Sequence, residues 1–397
     1  MIILALNAGS SSLKFSVLNT LQKETLVDGR VEKISTGEPE GVIEVSEQKI
    51  LFSLEEDTHQ SAILEIIKRV NAFLAEQDLS IEAIGHRVVH GADAFREAAL
   101  IDSEVIAKIH ELSPLAPLHN PANAMVIEVA FAEFPSLPQV AVFDTAFHQT
   151  ISEEVYRYAV PSAWYNDHKV RRYGFHGTSH SYVSRRAIDL FDLDKETSNI
   201  IVAHLGNGCS ATAVRGGKSV DTTMGLSPLE GFVMGTRSGN VDPNMHAYIA
   251  SQTGLNLEKI TEILNKKSGL LALSGDSDMR AIYQKIEEGD VDAKLALEIF
   301  VFRLSKEIIG LLASLPEKLD ALVFTGGIGE NDYNTRALIC DRLKFLGVKL
   351  DADENQLRSS TERKISCNSD PSAPIIAIIP TNEELEIALQ TEALTTS

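Results

Sequence analysis

The sequence predicts an α/β protein made of two domains of like fold. Three observations predict it. The chain has 397 residues, room for two or three domains at roughly 100–200 residues each. Apolar runs of strand character alternate with amphipathic helical stretches. One pattern, an apolar strand, a turn of small residues containing Asn and a second apolar strand, occurs at 4–18 (LALNAGSSSLKFSVL) and again at 199–217 (NIIVAHLGNGCSATAVRGG). A repeat at that distance points to duplication, each half opening with a hairpin whose turn offers backbone N–H groups.

Taken in order, Ile2, Ile3 and Leu4 lead into the small-residue turn at 7–12, after which Leu13, Phe15 and Val17 alternate at strand period. Residues 60–77 place Ile63, Ile66, Ile67, Val70, Phe73 and Leu74 on one helical face. IGHRVVHG at 84–91 reads as a strand. Pro114, Pro117 and Pro121 are expected to break the following stretch into short helical pieces. QVAVFD at 139–144 is a buried strand ending in an acid, and the irregular stretch 151–174 is the expected domain boundary. The second half runs through the repeated hairpin, a helix at 290–315 and the strand of ALVFTGGIGEN at 321–331 entering a third glycine turn. IIAIIP at 375–380 is the last strand. Thr381 with Glu384 reads as a capping box for the final helix.

Composition narrows the function. Thirty-six Lys and Arg against 56 Asp and Glu give a net charge of −20. Such a surface repels phosphodiester backbones and anionic lipid, which argues against nucleic acid and membrane as partners. Any anionic substrate then needs locally placed arginines. Cys209, Cys340 and Cys367 are odd in number and far apart, so neither a zinc ribbon nor a disulfide framework is indicated. No run reaches the roughly 18 apolar residues of a membrane span, and the N-terminus lacks a basic leader. A reduced, cytoplasmic protein is the expectation.

Three glycine-rich turns follow strands, at 7–12, 204–208 and 326–331. Glycine lets the backbone approach an anion, and successive N–H groups make a nest for phosphate. None is a Walker loop. Gly206-x-Gly208-x-x-Ala211 matches the loose dinucleotide fingerprint, but the β-branched SATAV after it is no helix. Ser11-x-x-Lys14, Ser238-x-Asn240 and Lys267-Ser268-Gly269 stand in the order of a penicillin-binding acyl-enzyme, yet Lys14 lies in a strand pattern. His86 and His90 flank three residues of a strand and would stand about 13 Å apart, too far for one zinc ion. His176 and His180 are interrupted by Gly177, so helical pairing is not expected. Polar residues at strand ends remain: Arg87, Asp144, His176, Arg237 and Glu383. Asp144 closes an apolar strand at the edge where α/β folds place their chemistry.

LNAGSSSLKF, GHRVVHG, PLHNP, VFDTAFH, YGFHGTSH, AHLGNG, GTRSGNVDP, FTGGIGEN and PTNEELEIA, in that order from residue 4 to 388, closely resemble the acetate kinases. The resemblance implies two duplicated actin-like (ribonuclease H-like) domains with a nucleotide cleft between them, at 1–150 and 151–382, and a last helix, 383–397, returning to the first. It implies reversible, magnesium-dependent transfer of the ATP γ-phosphoryl group to acetate, giving acetyl phosphate and ADP, by a homodimer, with manganese a possible substitute metal. By matching motif, Asn7 and Glu383 are the metal-associated residues and Lys14 a nucleotide contact. His204, Leu205, Gly206, Asn207 and Gly208 belong to the ATP segments, with Asp278, Met279, Arg280 and Gly327, Ile328, Gly329, Glu330, Asn331. Arg87 binds the substrate carboxylate, and His119 is a further substrate-binding residue. Val89, Leu118, Phe175 and Pro228 surround the acyl methyl group, and valine at 89 favours acetate over propionate. Asp144 is the catalytic acid, and His176 and Arg237 stabilise the transition state. Because acetate is already ionised at neutral pH, Asp144 is expected to orient an arginine or a metal-bound water rather than act as a base. Two other readings compete: a kinase of propionate or another short carboxylate, and a nucleotide-gated chaperone or filament module on the same fold.

Overall fold

The computed structural model describes residues 1–9, 11–45, 48–117, 119–367 and 372–396. These form two compact units, Met1–Gln149 with Asn382–Ser397, and Thr150–Thr381.

The first unit is a mixed sheet with helices packed on it. Its strands are β1 (Ile2–Ala8), β2 (Ser12–Asn19), β3 (Glu24–Glu32), β4 (Glu40–Val45), β5 (Gln48–Phe52), β6 (Ala83–Val88), β7 (Ala99–Leu100) and β8 (Gln139–Phe143). Their order is β5-β4-β3-β2-β1-β6-β8-β7. The first five strands form an antiparallel meander, while β6 lies parallel to β1 and β8 parallel to β6. The helix His59–Ala75 buries Ile63, Ile66, Ile67, Val70 and Leu74 against Leu4, Leu6, Phe15 and Val17, and its N-cap Thr58 accepts from Ser61 N. A second cluster gathers Val88, Ile127, Ala141 and Phe143, with Phe95 stacked on Phe143 at 4.2 Å.

The helix Glu383–Thr395 lies on this sheet because Gly85 permits it. A Cβ at Gly85 would fall 2.4 Å from Thr391 Oγ1 and 2.6 Å from Ile387 Cγ2, so only a bare backbone accepts the helix at that height. The cap of this helix is Asn382, whose side chain accepts from Leu385 N. The capping box expected from Thr381 does not form, since Thr381 Oγ1 donates to Ser179 Oγ at 2.8 Å instead.

The second unit repeats the plan. Its strands are β9 (Asn199–Leu205), β10 (Cys209–Arg215), β11 (Lys218–Thr222), β12 (Ala321–Thr325), β13 (Arg363–Lys364) and β14 (Ile375–Ile378), ordered β11-β10-β9-β12-β14-β13. Here too β9 to β11 form an antiparallel meander, β12 and β14 follow in parallel, and a short antiparallel strand closes the edge. The order β3-β2-β1-β6-β8-β7 of the first sheet therefore maps strand for strand onto β11-β10-β9-β12-β14-β13 of the second.

Three local expectations are corrected. Pro121 does not break a helix but stands in the first turn of Asn120–Glu133, where its missing N–H would have had no partner. The glycine stretch after β12 is a short helix, Gly326–Asn331, not a turn. Gly326 N donates to Glu330 Oε1 at 2.8 Å, and Asn331 Nδ2 to Gly327 O, which close it. The stretch 151–174 contains two short helices, Glu153–Tyr156 and Ser162–His168. They are joined by stacking of Tyr156 on Tyr165 and by the Arg171 guanidinium 3.6 Å over the Tyr156 ring.

Candidate active site

In the first unit the C-terminal ends of β1, β6 and β8 bring Asn7, Arg87 and Asp144 together. Parallel strands point their carboxyl ends the same way, so residues far apart in sequence meet at one edge. Asp144, wholly buried, takes Arg87 in a two-pronged bond: Nε to Oδ1 at 2.9 Å and Nη2 to Oδ2 at 2.7 Å. The third nitrogen, Nη1, donates to Asn7 Oδ1 at 3.1 Å. Fork-to-fork pairing of this kind fixes the guanidinium plane as well as its charge. Burial acts to lower the Arg87 pKa, but Asp144 and then Glu383 and Glu384 outweigh it and raise it. Glu384 itself is pushed up, first by burial and then by the neighbouring Glu383. Lys14 is exposed, stands opposite Asn7 in the β1–β2 register, and its charge draws the Glu384 value back down.

Two buried asparagines hold the segment after Arg87. Asn123 Oδ1 accepts from Val89 N at 3.1 Å, while its Nδ2 donates to Ala8 O at 2.8 Å, tying the end of β1 to Val89. Asn120 exchanges two bonds with the backbone of His90. Both asparagines lie in the first turn of the helix that follows His119. Neither was given a role from sequence; their burial is the signal that only the structure supplies. Val89 is buried, and Leu118 lies outside the described residues.

In the second unit the corresponding strand ends carry a network of imidazoles and hydroxyls. His176 precedes the helix Gly177–Leu190 and holds a left-handed backbone, φ 55°, so Gly177 begins the helix rather than interrupting it. His180 sits one turn in. The two histidines do converge, against expectation, but on a hydroxyl: Ser210 Oγ is 2.9 Å from His176 Nδ1 and 2.7 Å from His180 Nε2. The His204 ring stacks on His176 at 4.4 Å, and its Nδ1 meets Ser179 Oγ at 2.8 Å. Arg237 has no carboxylate at ion-pair distance among the described residues; Nη1 donates to Pro228 O at 3.2 Å, and burial pulls its pKa down. Phe175 is buried in the same unit.

A cavity of about 1130 Å³ opens in this unit. Gly206, Asn207, Asp278, Met279, Arg280, Gly327, Ile328, Glu330 and Asn331 line it, and so do Tyr283, Arg336, Asn355, Arg358 and Pro380, which sequence reading missed. His204, Leu205, Gly208 and Gly329 do not line it. Gly329 shapes the wall from behind: its carbonyl accepts from Arg336 Nη1 at 2.9 Å, while the rest of that buried guanidinium binds Asn355. Burial, then Arg363, pushes the Arg336 pKa down to about 10. Arg280 is nearly fully exposed and pairs with Asp278.

Comparison with known proteins identifies the frame. Residues 2–389 match the model of the Acetokinase family. The chain is 47% identical over 392 residues to the acetate kinase of Deinococcus radiodurans, covering 98% of this chain and 97% of that one. It is equally similar, 47% over 392 residues and 98% and 95% coverage, to the propionate kinase of Salmonella typhimurium strain LT2. The crystal structure of Porphyromonas gingivalis acetate kinase superposes with a TM-score of 0.92 at 40% identity, over 99% of both chains. A match that runs through both units leaves no room for a chaperone or filament reading: the chain belongs to the acetokinase family.

Proposed function

We propose that the protein transfers the γ-phosphoryl group of ATP to acetate, reversibly, giving acetyl phosphate and ADP. The family match across residues 2–389 carries the reading, and the geometry within each unit supports it. The two units, taken as the functional domains, supply different parts of the reaction. Arg87, held flat by Asp144, presents a fixed cation edge to the acceptor carboxylate, with apolar Val89 two residues on. The acceptor is ionised at neutral pH, so Asp144 has no proton to remove; it aligns Arg87. The cavity takes the nucleotide, with the glycines at 206 and 327 admitting phosphates close to backbone. In transfer, an acceptor oxygen bonds to the γ-phosphorus as the bond to the bridging β–γ oxygen breaks, and ADP leaves with that oxygen. Such a loose transition state needs alignment and positive charge more than covalent help. Arg237 and His176 supply donors to the equatorial oxygens, a reading supported by Arg237 Nη1 and His176 Nε2 both bordering Gly208.

The donors near Arg87 suit magnesium, with manganese as a substitute. Asn7 Oδ1 and the Glu383 carboxylate are hard oxygen ligands, and magnesium characteristically keeps several waters and takes one or two protein carboxylates plus phosphates. No group of three or more metal-ligating side chains occurs among the described residues, which such a lightly held ion does not require. When bound, the ion neutralises charge on the β- and γ-phosphates. A homodimer is supported by Val291, Leu295, Phe302 and Ile309, exposed along one face of the helix Val291–Leu311. Cytoplasmic residence is supported by three unpaired thiols; among the described residues no helix is long and apolar enough to cross a membrane.

Identity does not separate acetate from propionate, since kinases named for each are equally similar. Trapping acyl phosphate with hydroxylamine, across acetate, propionate and butyrate, tests the proposal. Hydroxamate formed fastest with acetate is expected. Preference for propionate would move the reading to a propionate kinase, and no hydroxamate with any of them would end it.

A further inference from the structure

Ser210 is wholly buried on β10, opposite His204 in register. Its one hydroxyl serves two imidazoles, His176 through Nδ1 and His180 through Nε2. The far edge of the His176 ring faces Gly208. A Cβ at that glycine would stand 3.5 Å from His176 Nε2 and 3.2 Å from Arg237 Nη1. With glycine there, both nitrogens border one small space beside the 206–208 turn.

A serine hydroxyl carries one proton, and a neutral imidazole has one N–H and one bare nitrogen. With both rings neutral, Ser210 Oγ either accepts from both of them, which leaves His176 Nε2 bare, or links them in one of two directed arrangements. In the first, His180 Nε2–H donates to Ser210 Oγ, Ser210 O–H donates to His176 Nδ1, and His176 carries its proton on Nε2. In the second every bond reverses, and His176 turns a lone pair toward the space it shares with Arg237. An anionic oxygen in that space is stabilised by a donor and repelled by a lone pair. We infer that Ser210 is a positioning residue that fixes His176 as the Nε2–H tautomer, with His180 setting the direction of the chain. The inference rests on the reading of His176 as a donor to the transferred phosphoryl group. His176 then donates as a neutral ring, its plane held by stacking on His204.

The test reads the tautomer directly. In protein carrying ¹⁵N-histidine, with His176 assigned by its loss in His176→Gln, long-range proton–nitrogen correlation separates protonated from bare ring nitrogens. At neutral pH the expected pattern is a protonated Nε2 and a bare Nδ1. A proton on Nδ1, or on both nitrogens, overturns the inference. Ser210→Ala should lower kcat by about 10- to 100-fold, the range for losing a residue that orients a functional histidine, and should mix the two tautomers. The KM for ATP should stay within about twofold, because transition-state rather than ground-state contact is lost. Ser210→Thr, which keeps the hydroxyl, should restore both the spectrum and most of the rate. An unchanged spectrum and kcat in Ser210→Ala would also overturn it; if that variant fails to fold, the wild-type spectrum decides alone. Should His176→Gln keep full kcat, the reading of His176 as a phosphoryl donor fails instead, and the tautomer result still stands or falls by itself.

Discussion

Asn7 opposite Lys14 in the first unit, and His204 opposite Ser210 in the second, hold the same place: one residue pair in from the turn of the same hairpin. The strand order around them is the same in both sheets. What stands there is not. In the first unit charges are set against charges: Arg87 is clasped by Asp144, and Glu383, Glu384 and Lys14 act on the same locality. In the second, hydroxyls and imidazoles are hydrogen-bonded to one another beside Arg237, which has no carboxylate at ion-pair distance among the described residues. The duplicated scaffold fixes where side chains converge and leaves their chemistry open. The contrast suits two kinds of anion. On the proposed roles, Arg87 must hold the acceptor carboxylate and also let the product go, which suits a guanidinium already paired with Asp144. In the proposed loose transition state charge spreads over the three equatorial oxygens, and Arg237, which has no carboxylate at ion-pair distance among the described residues, is the arginine proposed to meet it.

Arg237→Ala is the sharpest way to break this comparison. It should lower kcat by roughly 10³-fold or more, as charge-stabilising arginines do in phosphoryl transfer, with little change in KM. A raised KM at unchanged kcat would make Arg237 a ground-state contact and erase the contrast. Arg87→Ala should cost about 10²-fold in kcat/KM for acetate, mainly through KM, with partial rescue by added guanidinium. If the KM for ATP rises instead, Arg87 serves the nucleotide. Asp144→Asn should reproduce much of the kcat loss, because Arg87 loses its aligned partner; near-wild-type kcat would show that alignment is not its role.

Stability should separate the regions by pH. His86, buried on β6 against Gln139, has its pKa lowered to about 4 by burial. Its folded value lies below the unfolded one, so the unfolded chain binds the proton first, and stability falls as pH drops from 6.5 toward 4. Between pH 7 and 5 this amounts to about 2 kcal/mol, measurable by denaturant titration, and His86→Leu should flatten that limb. An unchanged acid limb in the variant would place the sensitivity elsewhere. The smallest effect concerns chain length. One methylene in an apolar pocket is worth about 10- to 200-fold, so Val89→Ala should shift the propionate-to-acetate ratio of kcat/KM by about 10-fold. A ratio that does not move removes Val89 from the acyl pocket.

Much of the scaffold was legible in the sequence. Both hairpins and the helix at 59–75 carry strong periodicity, and the duplicated opening is visible in the residues alone. The helix Gly326–Asn331 was not legible, because GGIGEN has no apolar period and glycine favours no helix; side-chain bonds from Glu330 and Asn331 close it. Ser210 was missed for a different reason. Strand β10 is buried from Cys209 to Val214, so the alternation of Ser210 and Thr212 with alanine marks no solvent face and does not single out Ser210. Residue roles came from motif resemblance rather than from spacing. The polar supports behind them, Asn120, Asn123, Ser179 and Arg336, needed coordinates to be seen.

The left-handed backbone at His176 has a consequence for how position 176 tolerates change. A non-glycine side chain in that conformation carries strain of about 1–2 kcal/mol, which glycine would escape and asparagine would feel least. Replacements that ease the backbone remove the imidazole, and replacements that imitate its bulk, such as a β-branched residue, meet the strain in full. Tolerance scored by folding and tolerance scored by turnover should therefore rank the substitutions at 176 in different orders. A replacement there trades relief of the backbone against loss of the Ser210 bond and the His204 stacking, and on the proposed role of His176 it loses chemistry at once.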